Sequence, residues 1–259
     1  MKKLLTILLS VLMVMSLAAC SSSSSNSDST ADDTADTADD TDDSSEAADT
    51  PTAKDDYYSF HEAAVDSEVE VLMYVQGHQA YWEDNGQGVM TIYGNDGIGG
   101  YFVYNGKIDK EQADAIEEGT LVKVTGVKSE WSGEVEITDA TIEVYPSCEE
   151  KVFDVLDVTD VMNDTETLTE CMNQKVAING LEVVEVTKKD SESDPDLYIE
   201  CKLGELTVNL CVENYLTGPD TDVYQAAESL EAGNVIDVEG FLYWYEGANP
   251  HVTSITLVG

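Results

Sequence analysis

Apolar residues alternate with polar ones along most of the chain beyond residue 65, with a period of two, which predicts half-buried strands. VEVLMYVQG (residues 69–77) reads as one strand. GVMTIY and GYFVY flank the turn-rich GNDGIGG at 94–100 and predict a hairpin. Residues 109–118 lack glycine and proline and read as one short helix. Two more alternating runs follow, the second being VEITDATIEV. The unit is three strands, a helix and two strands.

That unit occurs twice. Gly119, Gly126 and Gly133 recur 114 positions later as Gly233, Gly240 and Gly247, and EEGTLVKVTG matches EAGNVIDVEG. The second copy runs through QKVAINGLEVVEV, then LYIECKL and LTVNLCV about Gly204, a helix at 222–232 and a final strand pair. The predicted domains are residues 57–147 and 148–259. Each is an all-β, five-stranded Greek-key unit with one short helix between the third and fourth strands, the order of an OB-fold barrel.

The first 56 residues do not belong to that pattern. Lys2 and Lys3 precede an apolar run that ends in LAAC at 17–20, the layout of a secretory signal (residues 1–19) and too short to span a bilayer as a mature helix. The cysteine after two alanines resembles the lipobox of bacterial lipoproteins. The resemblance implies that Cys20 takes a diacylglyceryl group and becomes the first mature residue, with the rest of the chain on the outer face of the cell membrane. Residues 21–56 hold twelve Asp or Glu against Lys54 alone, and no large apolar side chain. Such a segment is expected to be a disordered tether with a reach of roughly 30–35 Å.

With this leader, the paired units resemble the tandem OB-fold lipoproteins of Gram-positive bacteria, whose domains are related to OB domains first described as nucleic-acid binders. The resemblance covers about residues 65–259 and rests on the glycine-spaced strand pieces and strand order. OB barrels usually bind ligands on strands two and three and between the 1–2 and 4–5 loops. In the first domain this selects Tyr81, Trp82, Tyr93, Tyr101, Tyr104 and Trp131. In the second it selects Tyr198, Tyr215, Tyr243, Trp244, Tyr245 and His251. Their flat faces suit stacking, and the expected ligand is a glycan or peptide; an adaptor that docks a partner at the surface is the alternative.

Charge bears on the choice. The chain carries 12 basic and 53 acidic residues, for a formal balance of −41, and every basic residue is Lys. Phosphate contacts need clustered cations, so nucleic acid is expected to be excluded. Acidic loops such as WEDNGQG (82–88), GNDGIGG (94–100) and DSESDPD (190–196) offer oxygens for weak Ca²⁺ binding, yet none follows the EF-hand spacing. The three histidines have no zinc-site spacing, and no nucleophile elbow, phosphate loop or Cys–His arrangement occurs, so no catalysis, cofactor or metal is expected. In the predicted hairpin, Cys201 faces position 207 or 208, out of disulfide reach of Cys211. Cys148 with Cys171 stays open as a pair, with free thiols as the default reading.

Overall fold

The computed structural model describes residues 51–189 and 195–258. The signal, Cys20, most of the tether and residues 190–194 lie outside them, and with them the lipidation expectation.

Short helix α1 (Tyr57–Glu62) opens the folded part, its N-terminus capped by Asp56, whose carboxylate accepts from the Ser59 amide. Tyr57 and Phe60, three residues apart, share one face and are buried. No element was expected between the end of the tether at residue 56 and the first strand, since six residues carry too little periodicity to be recognised. In β1 (Glu68–His78) the alternation is realised directly: Val69, Val71, Met73 and Val75 are 0–2% exposed.

WEDNGQG was expected as a loop but is a tight hairpin. β2 (Trp82–Asp84) pairs with the start of β3 (Gln87–Asn95), Trp82 opposite Val89. β4 (Gly100–Lys107) completes the expected second hairpin. The predicted helix 109–118 shrinks to α2 (Lys110–Ala113). Beyond it the chain is drawn onto the barrel: Thr120 Oγ1 accepts from the Glu117 amide, and the Gly119 amide donates to Val75 O. β5 (Leu121–Trp131) and β6 (Glu134–Tyr145) follow. β1 pairs antiparallel with β3 and β5, β5 with β6, and β6 runs parallel to β4, which closes a five-stranded OB-type barrel.

The second barrel repeats this wiring. A two-residue strand, β7 (Leu156–Asp157), a 3-10 turn and α3 (Thr165–Glu170) precede it, none of them expected from the sequence. Asp164 caps α3, accepting from the Thr167 amide, a signal present in DTET but carried by only six helical residues. β8 (Lys175–Lys188), β9 (Leu197–Leu203), β10 (Leu206–Val212), α4 (Asp222–Glu228), β11 (Val235–Phe241) and β12 (His251–Leu257) give β8–β9–β10 antiparallel, β10 parallel to β12, and β11 between β12 and β8.

The repeated glycines mark one structural event. Gly126 and Gly240 both sit at bulges where the fourth strand crosses the fifth. A Cβ there would lie 2.8 Å from Thr138 O and 2.2 Å from His251 O respectively, so the close crossing admits only glycine.

Each barrel has its own core, and a third cluster of Tyr93, Phe102 and Phe241 joins them, with Leu216 and Tyr243 packed around it. The two barrels lie within one compact unit. The segment between them is tied to the first barrel, since the Gln76 side chain donates to Lys151 O and accepts from the Phe153 amide. Register places Cys201 opposite Val208 and Cys211 opposite Tyr198, and all four described cysteines are free thiols.

Candidate functional site

The strand two and three face of the first barrel, β3 and β4, was expected to meet a ligand. It meets the second barrel. The Tyr93 and Phe241 rings stack at 4.2 Å and 5°, and Phe102 meets Tyr243 edge-on at 5.4 Å. Phe241 also lies where a side chain on Gly77 would project, 2.6 Å from the position of its Cβ. His251 stacks on Tyr243 at 4.3 Å, and the Tyr93 hydroxyl lies 3.0 Å from its Nδ1. Burial pushes His251 down to about 3, so its ring is neutral, and burial also keeps the Tyr93 hydroxyl protonated. Tyr101 is 0% exposed inside the first barrel, its hydroxyl donating to Asp96 Oδ2 at 2.8 Å. Tyr93 and Tyr101 are therefore closed to a ligand.

The two 4–5 loops meet as well. Trp244 packs on Gly133, and its amide donates at 2.8 Å to Glu134 Oε2, while the Glu246 amide donates to Ser132 O. Glu134 is 0% exposed, and burial pushes its carboxyl up to about 8, with Glu136 adding to the rise and bonds from Asn173 and Trp244 opposing it. Glu134 Oε1 and Asn173 Oδ1 have no partner, and Asn173 Nδ2 is spent on Val135 O at 3.1 Å. A proton on Glu134 gives this buried carboxyl a donor of its own. Nothing in the sequence marked Glu134, because SGEVE reads as an exposed turn.

Three expected residues do converge on open space. Trp82 from β2, Tyr104 from β4 and Tyr215 from the loop after β10 are 44%, 51% and 65% exposed. With Gln79, Ala80, Asn105 and Glu213 they line a cleft of about 480 Å³ where the barrels adjoin, a usual size for a small-molecule site. Asn105 takes φ +49° beside a bulge in the β3–β4 pair, its amide donating to Thr91 Oγ1. Gln79 Nε2 donates to Glu213 Oε2 at 3.0 Å, a bond from one barrel to the other. Burial and neighbouring Asp196 push Glu213 up to about 7, so near neutral pH its carboxyl both donates and accepts. Aromatic faces beside amide and carboxyl groups suit a flat ring with polar edges. Gln79, Asn105 and Glu213 carried no signal in the sequence beyond their polarity.

The other expected residues stand apart from the cleft lining. Trp131 and Tyr245 are exposed at the tips of the two 4–5 loops, and Trp244 is half-buried between them. Tyr81 packs against the first core with Lys110 Nζ 5.4 Å from its ring centre, and Tyr198 on β9 meets Asp196. The acidic loop at 94–100 spends its oxygens on itself: Asp96 Oδ1 accepts from the Ile98 and Gly99 amides and Oδ2 from Tyr101. Among the described residues no three His, Cys, Asp or Glu side chains are grouped to hold a metal.

The sequence matches no family model and no curated protein. Among solved structures the chain is similar to a murine DNA-binding protein bound with double-stranded DNA, at 14% identity and TM-score 0.36 over 73% of this chain and 96% of that one. It is similar to a replication protein A heterotrimer bound to single-stranded DNA, at 12% identity and TM-score 0.32 over 76% and 50%. It is also similar to the asparaginyl-tRNA synthetase of Pyrococcus horikoshii complexed with asparaginyl-adenylate, at 19% identity and TM-score 0.27 over 33% of this chain and 19% of the synthetase. DNA in two of these structures corrects the expected exclusion of nucleic acid and the expected glycan or peptide ligand with its adaptor alternative. The formal balance of −41 describes the whole chain, whereas base stacking acts through a ring face at one place on a surface.

Proposed function

We propose that the two barrels act together as a non-catalytic binding module for a flat heteroaromatic ring of the kind a nucleobase presents. The convergence of Trp82, Tyr104 and Tyr215 on one cleft floored by Glu213, Gln79 and Asn105 carries this reading. The rings stack the ligand, and the amide and carboxyl groups bond its edge. Few cations are at hand for phosphate, so a neutral base or nucleoside is favoured over a phosphorylated one. The module is carried on the outer face of the cell membrane by acylated Cys20, in the manner of the Gram-positive tandem-barrel lipoproteins that the chain resembles.

Adenosine and cytidine titrated into the full chain test the cleft through tryptophan fluorescence. Stacking is worth about 1–3 kcal/mol per ring, so Trp82→Ala and Tyr215→Ala each weaken binding by about tenfold or more. The 5′-monophosphates bind more weakly than the nucleosides, and added salt narrows that gap by screening the repulsion. Silence with every nucleoside, or wild-type affinity in both variants, refutes the reading. Retention of Cys20→Ser on the membrane refutes the anchor separately.

A further inference from the structure

A second cavity, of about 730 Å³, lies between α1 and α3 and is lined by Tyr57, Tyr58, His61, Ile98, Glu166, Thr169 and Glu170. Its α1 wall is fixed. Lys128 Nζ donates to the Phe60, His61 and Ala63 carbonyls at 3.0, 2.7 and 2.9 Å, and Tyr57 packs edge-on against buried Tyr101 at 5.7 Å. From this wall the Tyr57 ring is tilted against His61 at 4.3 Å and crosses Tyr58 at 74° and 6.0 Å, so aromatic faces of different orientation meet in one corner. Tyr58 is 63% exposed and Ile98 48% exposed, large apolar surface left in water beside the cavity.

The opposite wall is negative. Glu166 and Glu170 stand one helical turn apart on α3, where like charges repel, and neither is among the ion pairs of the described residues. Glu170 is among the charges that raise the Tyr57 hydroxyl, after burial, Asp96 and Cys171. His61 is held neutral-leaning by burial and by Lys128, so the aromatic wall opposes no cation through its own charge. Lys128 turns its ammonium onto the α1 carbonyls.

We infer that this groove binds an organic ammonium ion carrying methyl groups, its charge facing Glu166 and Glu170 and its methyls lying on Tyr57, Tyr58 and Ile98. Aromatic faces attract such a cation through their ring quadrupole. Its methyls cover the exposed apolar surface, which a hydrated metal ion does not. It also relieves the repulsion between the two carboxylates. The rest of the chain, strongly acidic, raises the local concentration of cations.

Choline is the probe and 3,3-dimethylbutan-1-ol its uncharged isostere, each titrated by calorimetry into the full chain at low and high salt. Choline binds at least tenfold more tightly than the isostere, and its affinity falls with salt. Tyr58→Ala and Glu170→Gln each weaken it about three- to tenfold, Tyr58→Phe keeps it, and Trp82→Ala leaves it unchanged. Both tested side chains are exposed, so folding is retained, and far-UV circular dichroism verifies this. Equal affinity for choline and its isostere, no binding of either, or choline affinity untouched in both Tyr58→Ala and Glu170→Gln overturns the assignment.

Discussion

Replacing Glu134 by Gln tests whether the seam between the barrels holds a neutral carboxylic acid. In the folded protein this carboxyl is pushed up from 4.5 to about 8, chiefly by burial. At 1.36 kcal/mol per unit, the difference is about 5 kcal/mol. The sign follows from the proton count. Between these two values the folded state holds a proton that the unfolded state has released, so stability falls as pH rises. The contribution is complete below about pH 4.5 and is lost once pH passes about 8. Glu134→Gln keeps an oxygen for the Trp244 amide and carries a permanent N–H in place of the acid proton, so it removes the titration while retaining an acceptor and a donor. Urea unfolding of both proteins from pH 5 to 9 gives the measurement. Stability of the wild type relative to the variant falls by about 4 kcal/mol across that range. Glu213 and the surface carboxylates titrate in both proteins and cancel in the difference. A difference that stays level with pH refutes a protonated Glu134.

Two further outcomes follow from the packing. Phe241→Ala empties the space between Tyr93 and Gly77 and costs about 3–5 kcal/mol, and because the ring bridges two cores, unfolding splits into two transitions in calorimetry. A single transition with wild-type stability contradicts the seam. Half-exposed Cys148 and Cys171 react with iodoacetamide before buried Cys201 and Cys211, whose thiols burial raises, to about 12 for Cys201. Peptide mass spectrometry showing Cys201 or Cys211 modified first, without denaturant, contradicts that order.

Local pattern made the barrels legible in the sequence. The period-two alternation of residues 69–77, the turn about Gly204 and the 114-residue glycine repeat express constraints between neighbours in the chain or across one crossing, and the strands formed where those patterns stand. Elements of three to six residues, such as α1, β2 and α3, carried too few periods to be recognised. Helix lengths were overread because side-chain and backbone bonds on the barrel end α2 early.

What the amino-acid order determined by itself was two negatively charged five-stranded barrels with aromatic rings at the places where such barrels meet their ligands. Which rings stay open was decided only in three dimensions. A tyrosine on a strand has the same chemistry whether it faces water, a ligand or another barrel, and Tyr93 meets His251 from 158 residues away. Docking the second barrel on the first turned Tyr93, Tyr243 and His251 into a seam, buried Glu134 deep enough to favour its proton, and left Trp82, Tyr104 and Tyr215 around an open cleft. Burial and desolvation belong to that pairing of distant surfaces, and no local run of residues encodes them.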